Sequence, residues 1–377
     1  MEVKTLKIFV CALEYSSNIH LFSLIKILKQ KQINFTLEGV FDSLQRDYKS
    51  LFGVEEFRVM GFVDALKLLP KYFKIRKVLL QKARECDIAI FMDSSSFNIP
   101  LIQNLFKSNK KPYIIYYILP QVWAWKSYRA KILAKICDEL WGILPFECAY
   151  YPNEARISYV GHPLLDTLPF SYVCKRTTNL IAFMPGSRVA EIKALLPVFK
   201  IVAAILKKQN KQALLIIPKH FKKQQLERIY GNVEEFALSF DTYEGLRDCE
   251  FAFVCSGTAT LETTLLGIPT LLVYKAKAID FLLAKSLVKL NYIGLANIFL
   301  EFFFFHSPKN NPSIHNFPII PEILQQNVKP HILLKEWEGF DYEKFFSQKE
   351  VLMQYLKNGS AENCARKIEY FAKNLLK

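Results

Sequence analysis

No two of the eight cysteines stand close enough to form a C-x-x-C pair. That excludes a zinc knuckle or a dithiol redox motif. Most sit in apolar runs and read as buried free thiols of a reducing compartment. No acidic cluster has metal-ligand spacing, so neither a metal nor another cofactor is expected. No apolar run is long enough to span a membrane: the longest region, Leu287 to Phe305, is broken by Lys289, Asn291, Asn297 and Glu301. The opening MEVKTLKIFVCAL has too short an apolar core for a secretory leader and lacks a small-residue cleavage site. Repeats and low-complexity tracts are missing apart from Phe302 to Phe305. A basic tail is missing as well, because the two halves share the net charge of +15 almost equally. That spread argues against nucleic acid as a partner. These absences leave a cytoplasmic protein whose basic character has another purpose.

What is present points to a folded chain of two domains. Hydrophobic residues make up 51% of the 377, with 31 phenylalanines, so disorder is excluded. A pI near 9.3 favours anionic partners such as anionic lipid or a phosphorylated substrate.

The organising stretch is FAFVCSGTATLETTLLGIPTLLVYK, Phe251 to Lys275. An apolar strand ends in Ser256, Gly257, Thr258 and Ala259. A helix follows, stopped by Gly267 and Pro269, and then a second strand. Free N–H groups at such a helix start suit phosphate, and Glu262 one turn on could accept from ribose hydroxyls. An ordinary βα turn fits this stretch equally well. A second unit shifts the balance. Ile181 to Met184 is a strand ending in Pro185-Gly186-Ser187-Arg188, and Glu191 and Ile192 open a helix. Arginine offers a planar fork for phosphate oxygens. Gly186, Ser187 and Arg188 with the first loop make a candidate nucleotide-diphosphate site at strand carboxyl ends.

MPGSRVAEI, CSGTATLETTLLGIPTLLVYK, NYIGLANIF and PEILQQN resemble the C-terminal motifs of lipid-A-disaccharide synthases. MDSSSFNIPL, LPQVWAWKSYRAKIL, ILPFECAYY and YVGHPLLD resemble the N-terminal ones. The resemblance spans nearly the whole chain. It implies an α/β fold of two Rossmann-like domains facing each other across a cleft, the GT-B architecture of inverting glycosyltransferases. It implies UDP-2,3-diacylglucosamine as donor and 2,3-diacylglucosamine 1-phosphate (lipid X) as acceptor. The product would be the β-1,6-linked disaccharide 1-phosphate, with UDP released. It adds Asn297, in NYIGLANIF, to the UDP-binding set, and suggests a homodimer on the inner face of the cytoplasmic membrane of a Gram-negative bacterium.

The expected N-terminal domain covers residues 1–165 and binds the acceptor. Residues 166–360 form the UDP-sugar domain, and a last helix, about 361–377, returns to the first. Lys7 to Leu13 is the first strand, Glu14 to Asn18 its loop and His20 to Lys29 a helix. The family has Gly-Glu-x-Ser-Gly-Asp in this loop. Glu14 and Ser16 match, while both glycines and the aspartate are gone. After the strand Ile88 to Met92, Asp93, Phe97 and Asn98 match Ile-Asp-x-x-Asp-Phe-Asn, with Ser96 in place of the second aspartate. Asp93 is the candidate general base and Glu14 its competitor. Ser16, Asn98 and Trp123 are candidate acceptor contacts; aromatic packing at a domain edge fits Trp123 as well. FVDALKLLPKYFKIRKVLLQK, Phe62 to Lys82, has six basic residues and one acid. It reads as a basic amphipathic segment, divided at Pro70, that meets a membrane through Leu66, Leu69, Phe73 and Leu79. A helix packed on the sheet is the alternative.

Two other function classes stay open at this stage. One is a UDP-sugar enzyme of the same fold, a UDP-N-acetylglucosamine epimerase or a peptidoglycan glycosyltransferase. The other is a non-enzymatic protein that binds anionic membranes.

Overall fold

A computed structural model describes residues 5–42, 48–54, 57, 65–168, 178–218, 221, 223–275, 291–306 and 318–375. The chain forms two compact units, residues 1–167 with 356–377, and residues 168–355. Each is an α/β unit built on a parallel six-stranded sheet.

The first sheet contains β1 (Leu6–Ala12), β2 (Phe35–Val40), β3 (Ile88–Met92), β4 (Tyr113–Tyr117), β5 (Glu139–Gly142) and β6 (Ile157–Tyr159), in the order β2-β1-β3-β4-β5-β6. Successive strand side chains point to opposite faces. Phe9 and Cys11 of β1 therefore enter one core layer, while Ile8, Val10 and Ala12 enter the other. Burial on both faces explains why these strands read as unbroken apolar runs. The helices of this unit are α1 (Tyr15–Gln30), α2 (Ala65–Arg84), α3 (Ser95–Phe106) and α4 (Tyr128–Ile136).

Two details differ from the sequence expectation. Helix α1 starts at Tyr15, not at His20, so Ser16 lies in its first turn. With no glycine after Glu14, the chain enters the helix at once, and the Ser17 hydroxyl and the Asn18 amide both donate to the Glu14 carbonyl. Helix α2 runs through Pro70 without a break. The proline is the sixth residue of the helix and removes one backbone bond, which the turns on either side outweigh.

The second sheet contains β7 (Leu180–Met184), β8 (Gln212–Ile216), β9 (Ala237–Ser239), β10 (Cys249–Cys255), β11 (Thr270–Tyr274) and β12 (Glu322–Leu324), in the order β12-β11-β10-β7-β8-β9. Its core is aromatic: Phe183 of β7 stacks on Phe253 of β10 at 5.1 Å and meets Phe199 edge-on at 5.3 Å. Helices α5 (Val189–Lys208), α6 (Lys223–Tyr230), α7 (Thr242–Leu246), α8 (Thr258–Leu265), α9 (Leu295–His306) and α10 (Pro330–Glu338) follow in order. Then α11 (Tyr342–Leu356) ends where the chain rejoins the first unit, which α12 (Ser360–Leu375) completes. Cys364, Ala365, Ile368 and Phe371 of α12 pack with Leu21, Leu24 and Ile25 of α1. The Asp166 carboxylate accepts from the Gly359 and Ala361 amides at 2.6 and 2.9 Å, anchoring the positive end of α12.

Both sheets reverse direction once. In the first, the chain steps outward from β1 to β2 and returns on the other side at β3. In the second, it steps outward from β7 through β8 to β9 and returns at β10. Loops at such reversals diverge and leave a crevice at the strand carboxyl ends, the usual ligand position in open parallel sheets. The four loops concerned carry Glu14, Asp93, Arg188 and Ser256.

Candidate active site

In the second unit, the loops after β7 and β10 line a cavity of about 390 Å³. Gly186, Ser187, Arg188, Ser256, Gly257, Thr258, Ala259 and Glu262 all line it. So do Ile216, Pro218, Thr242 and Glu191, which the sequence motifs did not bring to it. Ile216 and Pro218 arrive because β8 is the neighbour of β7, and Thr242 because β9 follows next in the sheet. Glu191 could have been found, since it stands three residues after Arg188, the spacing of a capping box.

The two turns have different electrostatics. At the start of α5, Glu191 Oε2 accepts from the Ser187 and Arg188 amides at 3.3 and 3.2 Å, and Oε1 faces Arg188 Nη1 at 3.1 Å. Gly186 makes this possible. Its φ is +111°, and a Cβ there would sit 2.5 Å from Glu191 Oε2 and 3.2 Å from Cys255 Sγ. The α5 terminus thus already has an anion. The α8 terminus has none: its N-cap is Gly257, at φ +153° and ψ −165°, with no side-chain cap. That backbone region belongs to glycine, and open space surrounds the position. The first turn of α8 is therefore the uncapped helix terminus at this cavity, a position that suits an anion. Arg188 brings a positive charge to the cavity wall. Its side chain is 81% exposed, and an exposed i,i+3 pair holds it only weakly. The Arg188→Ala variant is expected to bind UDP about tenfold to a hundredfold more weakly, the loss of one charge-assisted contact. Unchanged UDP affinity in calorimetric titration of the folded variant would remove Arg188 from the site.

Glu262 sits in the wall of the cavity, and burial pushes its carboxyl pKa upward. A raised carboxyl pKa destabilises the fold as pH climbs from the ordinary glutamate value, about 4.3, through the raised one; below both values the penalty vanishes. Glu262→Gln should therefore raise the thermal midpoint of the free protein at pH 7 and leave it unchanged near pH 3. The same change should weaken UDP binding, because the amide offers one uncharged acceptor oxygen in place of the carboxylate's two. A variant that binds UDP as tightly as the unmodified protein would assign Glu262 to helix packing alone.

In the first unit, two asparagines build matching strand-end turns. Asn18 Nδ2 donates to the carbonyls of Ala12 and Glu14; Asn98 Nδ2 donates to those of Met92 and Asp93, both at 3.0 Å. Asn98 is fully buried, so it shapes the Asp93 turn and is not an acceptor contact. The Tyr116 hydroxyl also donates to the Asp93 carbonyl. Held this way, Asp93 and Ser94 adopt left-handed backbone, φ +49° and +36°, a strain that non-glycine residues keep only where the surroundings impose it. Asp93 Oδ1 accepts from the Ser94 amide at 2.8 Å. It does not cap α3, whose N-cap is Ser94. The Ser94 hydroxyl reaches Glu14 Oε1 at 3.3 Å, so the two candidate bases share one serine. Burial raises the Asp93 pKa; the Ser94 amide lowers it in part, and the Glu14 charge raises it further.

The other first-unit candidates fall outside this cluster. Ser16 is exposed on α1. Trp123 is half-buried and meets Phe146 edge-on at 5.3 Å, the aromatic packing that the sequence left open.

Geometry of this kind occurs in many sugar-nucleotide enzymes, and sequence comparison narrows it. The sequence model of the lipid-A-disaccharide synthetase family matches residues 8–337. The chain belongs to this family. It is 43% identical to the lipid-A-disaccharide synthase of Helicobacter pylori (strain J99), over 96% of this chain and 98% of that one. It is 39% identical to that of Campylobacter jejuni (strain RM1221), over 95% and 97%. Among solved structures, the UDP-GlcNAc 2-epimerase of Neisseria meningitidis bound to UDP-GlcNAc aligns with a TM-score of 0.56 at 10% identity, covering 98% of this chain and all of that one. MurG of Acinetobacter baumannii aligns with a TM-score of 0.54 at 11% identity, covering 97% and 99%. At such identities the likeness shows the fold alone: an α/β glycosyltransferase architecture of two Rossmann-like units.

Against the family motifs, one nucleotide assignment changes. Asn297 does not line the cavity. It is fully buried at the start of α9, where Nδ2 donates to the Ile320 carbonyl and Glu322 Oε1, and Oδ1 accepts from the Ile319 and Ile320 amides. All four of its hydrogen-bonding positions are taken, leaving none for a ligand. The nearby phenylalanines divide similarly: Phe302 is buried, and Phe303 packs on Phe304 and Tyr355.

Helix α2 also needs correction. Leu79 is fully buried with Ile75 against the first sheet, so it is core and not a membrane contact. Phe73 is 59% exposed and Val78 37%, with Lys74 and Lys77 exposed beside them. The side chains of Leu66 and Leu69 lie outside the described residues. Among the described residues, no helix is long and apolar enough to cross a membrane.

Proposed function

We propose that this protein transfers a 2,3-diacylglucosamine unit from its UDP derivative to 2,3-diacylglucosamine 1-phosphate. The acceptor 6-hydroxyl oxygen attacks the donor anomeric carbon, and the carbon–oxygen bond to UDP breaks, its electron pair leaving with the diphosphate. The hydroxyl proton passes to Asp93. An α-linked donor gives the β-1,6-linked disaccharide 1-phosphate in one inverting displacement. The observation that carries this reading is a family match that spans both switch points, one with a carboxylate pair and one with an anion-binding cavity. In the second unit, Arg188 and the α8 terminus stabilise the departing diphosphate. In the first, Asp93 provides the base and Glu14 the alternative. Incubation with both lipids and mass spectrometry should show disaccharide and UDP in equal amounts. Conversion of separately supplied UDP-N-acetylglucosamine to its 2-epimer, read by proton NMR, with no disaccharide formed from the lipids, would favour the epimerase reading.

The same proposal places the protein as a homodimer on the inner face of the cytoplasmic membrane of a Gram-negative cell. Relatives from Helicobacter and Campylobacter, acylated substrates and the basic, partly apolar outer face of α2 support it. Phe73→Ser with Val78→Ser should release protein from anionic vesicles in a flotation assay while the melting temperature holds. Leu79→Ala should cost about 2–5 kcal/mol of stability, as for other buried leucines. Undiminished flotation of the Phe73/Val78 variant would assign membrane binding elsewhere.

A further inference from the structure

Arg129 is the second residue of α4 and is 91% buried, with 9% of its surface exposed. Its guanidinium donates to the Ser95 hydroxyl at 2.6 Å and lies 5.7 Å from the Trp125 ring centre. No carboxylate pairs with it among the described residues. Burying a charge with only a neutral partner is unfavourable. The position makes matters worse, since a helix N-terminus repels cations. Arg129 lies in the first turn of α4 and touches the first residue of α3, and neither helix has a side-chain cap. Two positive features, the Arg129 guanidinium and the α4 terminus, thus meet without an anion, whereas at α3 the Asp93 carboxylate already accepts from the N-cap amide. Lys126 adds a second positive charge, stacked on Trp125 at 4.4 Å.

This arrangement stands two residues from Asp93, on the same loop. Asp93 faces the attacking hydroxyl in the proposed reaction, so the anion held by Arg129 belongs to the same sugar. We propose that Arg129, with Ser95, binds the phosphate monoester of the acceptor. The inference rests on the reading of the acceptor as a sugar phosphate. The arginine fork matches two phosphate oxygens, and the fixed Ser95 bond sets its angle. Phosphate at one end of the sugar and a base at the other orient the reacting hydroxyl before any bond changes.

The test compares two acceptors, one with phosphate at C1 and one with a free hydroxyl there, using the full-length protein. The unmodified protein should favour the phosphorylated acceptor at least tenfold in kcat/KM. In Arg129→Gln, KM for that acceptor should rise roughly tenfold to a hundredfold, and the ratio between acceptors should collapse towards one. Arg129→Lys should fall between. An equal rise for both acceptors, or an undiminished preference, would overturn the proposal. Should Arg129→Gln not fold, the unmodified protein suffices: glucosamine 1-phosphate should compete with the acceptor at least tenfold better than glucosamine. Equal competition by the two, or inorganic phosphate competing as well as the sugar phosphate, would count against it. Binding to phosphatidylglycerol vesicles should match between Arg129→Gln and the parent. Lost vesicle binding with the acceptor preference intact would make the anion a lipid headgroup and sink the proposal. If the parent makes no disaccharide from either acceptor, the proposed reaction itself fails. Phosphorus NMR broadening of glucosamine 1-phosphate by the parent, absent with Arg129→Gln, would still support the site; equal broadening by both would overturn it.

Discussion

Asp93→Asn is expected to lower turnover by about 10²–10⁴-fold, the usual worth of general-base assistance, while UDP affinity stays near normal. Asparagine retains an oxygen for the Ser94 amide and tolerates left-handed backbone better than most residues. The Tyr116 and Asn98 bonds go to the backbone carbonyl and do not depend on the side chain. The variant should therefore fold and lose only basicity. A pH profile separates Asp93 from Glu14. Because burial and the Glu14 charge both raise the Asp93 pKa, the acid limb of turnover should lie above that of an ordinary aspartate. Glu14→Gln removes one of those causes. It should move the limb to lower pH and leave the plateau largely intact. Turnover near the parental value in Asp93→Asn, with the plateau lost in Glu14→Gln, would transfer the role to Glu14.

Asn297→Ala should destabilise the second unit by roughly 3–5 kcal/mol. The amides of Ile319 and Ile320 lose the acceptor they share, each at about 1–3 kcal/mol, and Glu322 loses a donor. For a unit of this size the melting temperature should fall by roughly 10 °C. Asn297→Asp should do no better, since it keeps the acceptor but sets a second carboxylate against Glu322. A variant with parental melting temperature and lost UDP binding would return Asn297 to the nucleotide site, where the family motif had placed it.

The contrast with Gly186 to Arg188 shows what a sequence makes legible. A strand that ends in glycine, serine and arginine is a local feature: the apolar run fixes the strand, and the small residues fix the turn. Hence the cavity residues after β7 and β10 could be read directly, as could the strands themselves. The partners of Asn297 lie more than twenty residues away, and nothing local distinguishes a side chain with four partners from one awaiting a ligand. The same limit applied to α2. Helical spacing gives two apolar stripes through Phe62 to Lys82, and only the sheet decides that Ile75 and Leu79 turn inward while Phe73 turns out. Thr242 was illegible for a third reason, since it reaches the cavity through strand order and not through any motif.

The return of the chain through residues 356–377 has a consequence for synthesis. One face of the first sheet is closed by α12, whose Cys364, Ala365, Ile368 and Phe371 complete that layer. On the ribosome these residues emerge after the whole of the second unit. The first unit to be translated is thus the last to be sealed, reversing the usual order in which N-terminal domains finish folding first. Until then α1 and β4, which meets α12 through Tyr113 and Tyr117, lack part of their apolar cover. A truncated chain ending near residue 355 would expose that surface permanently.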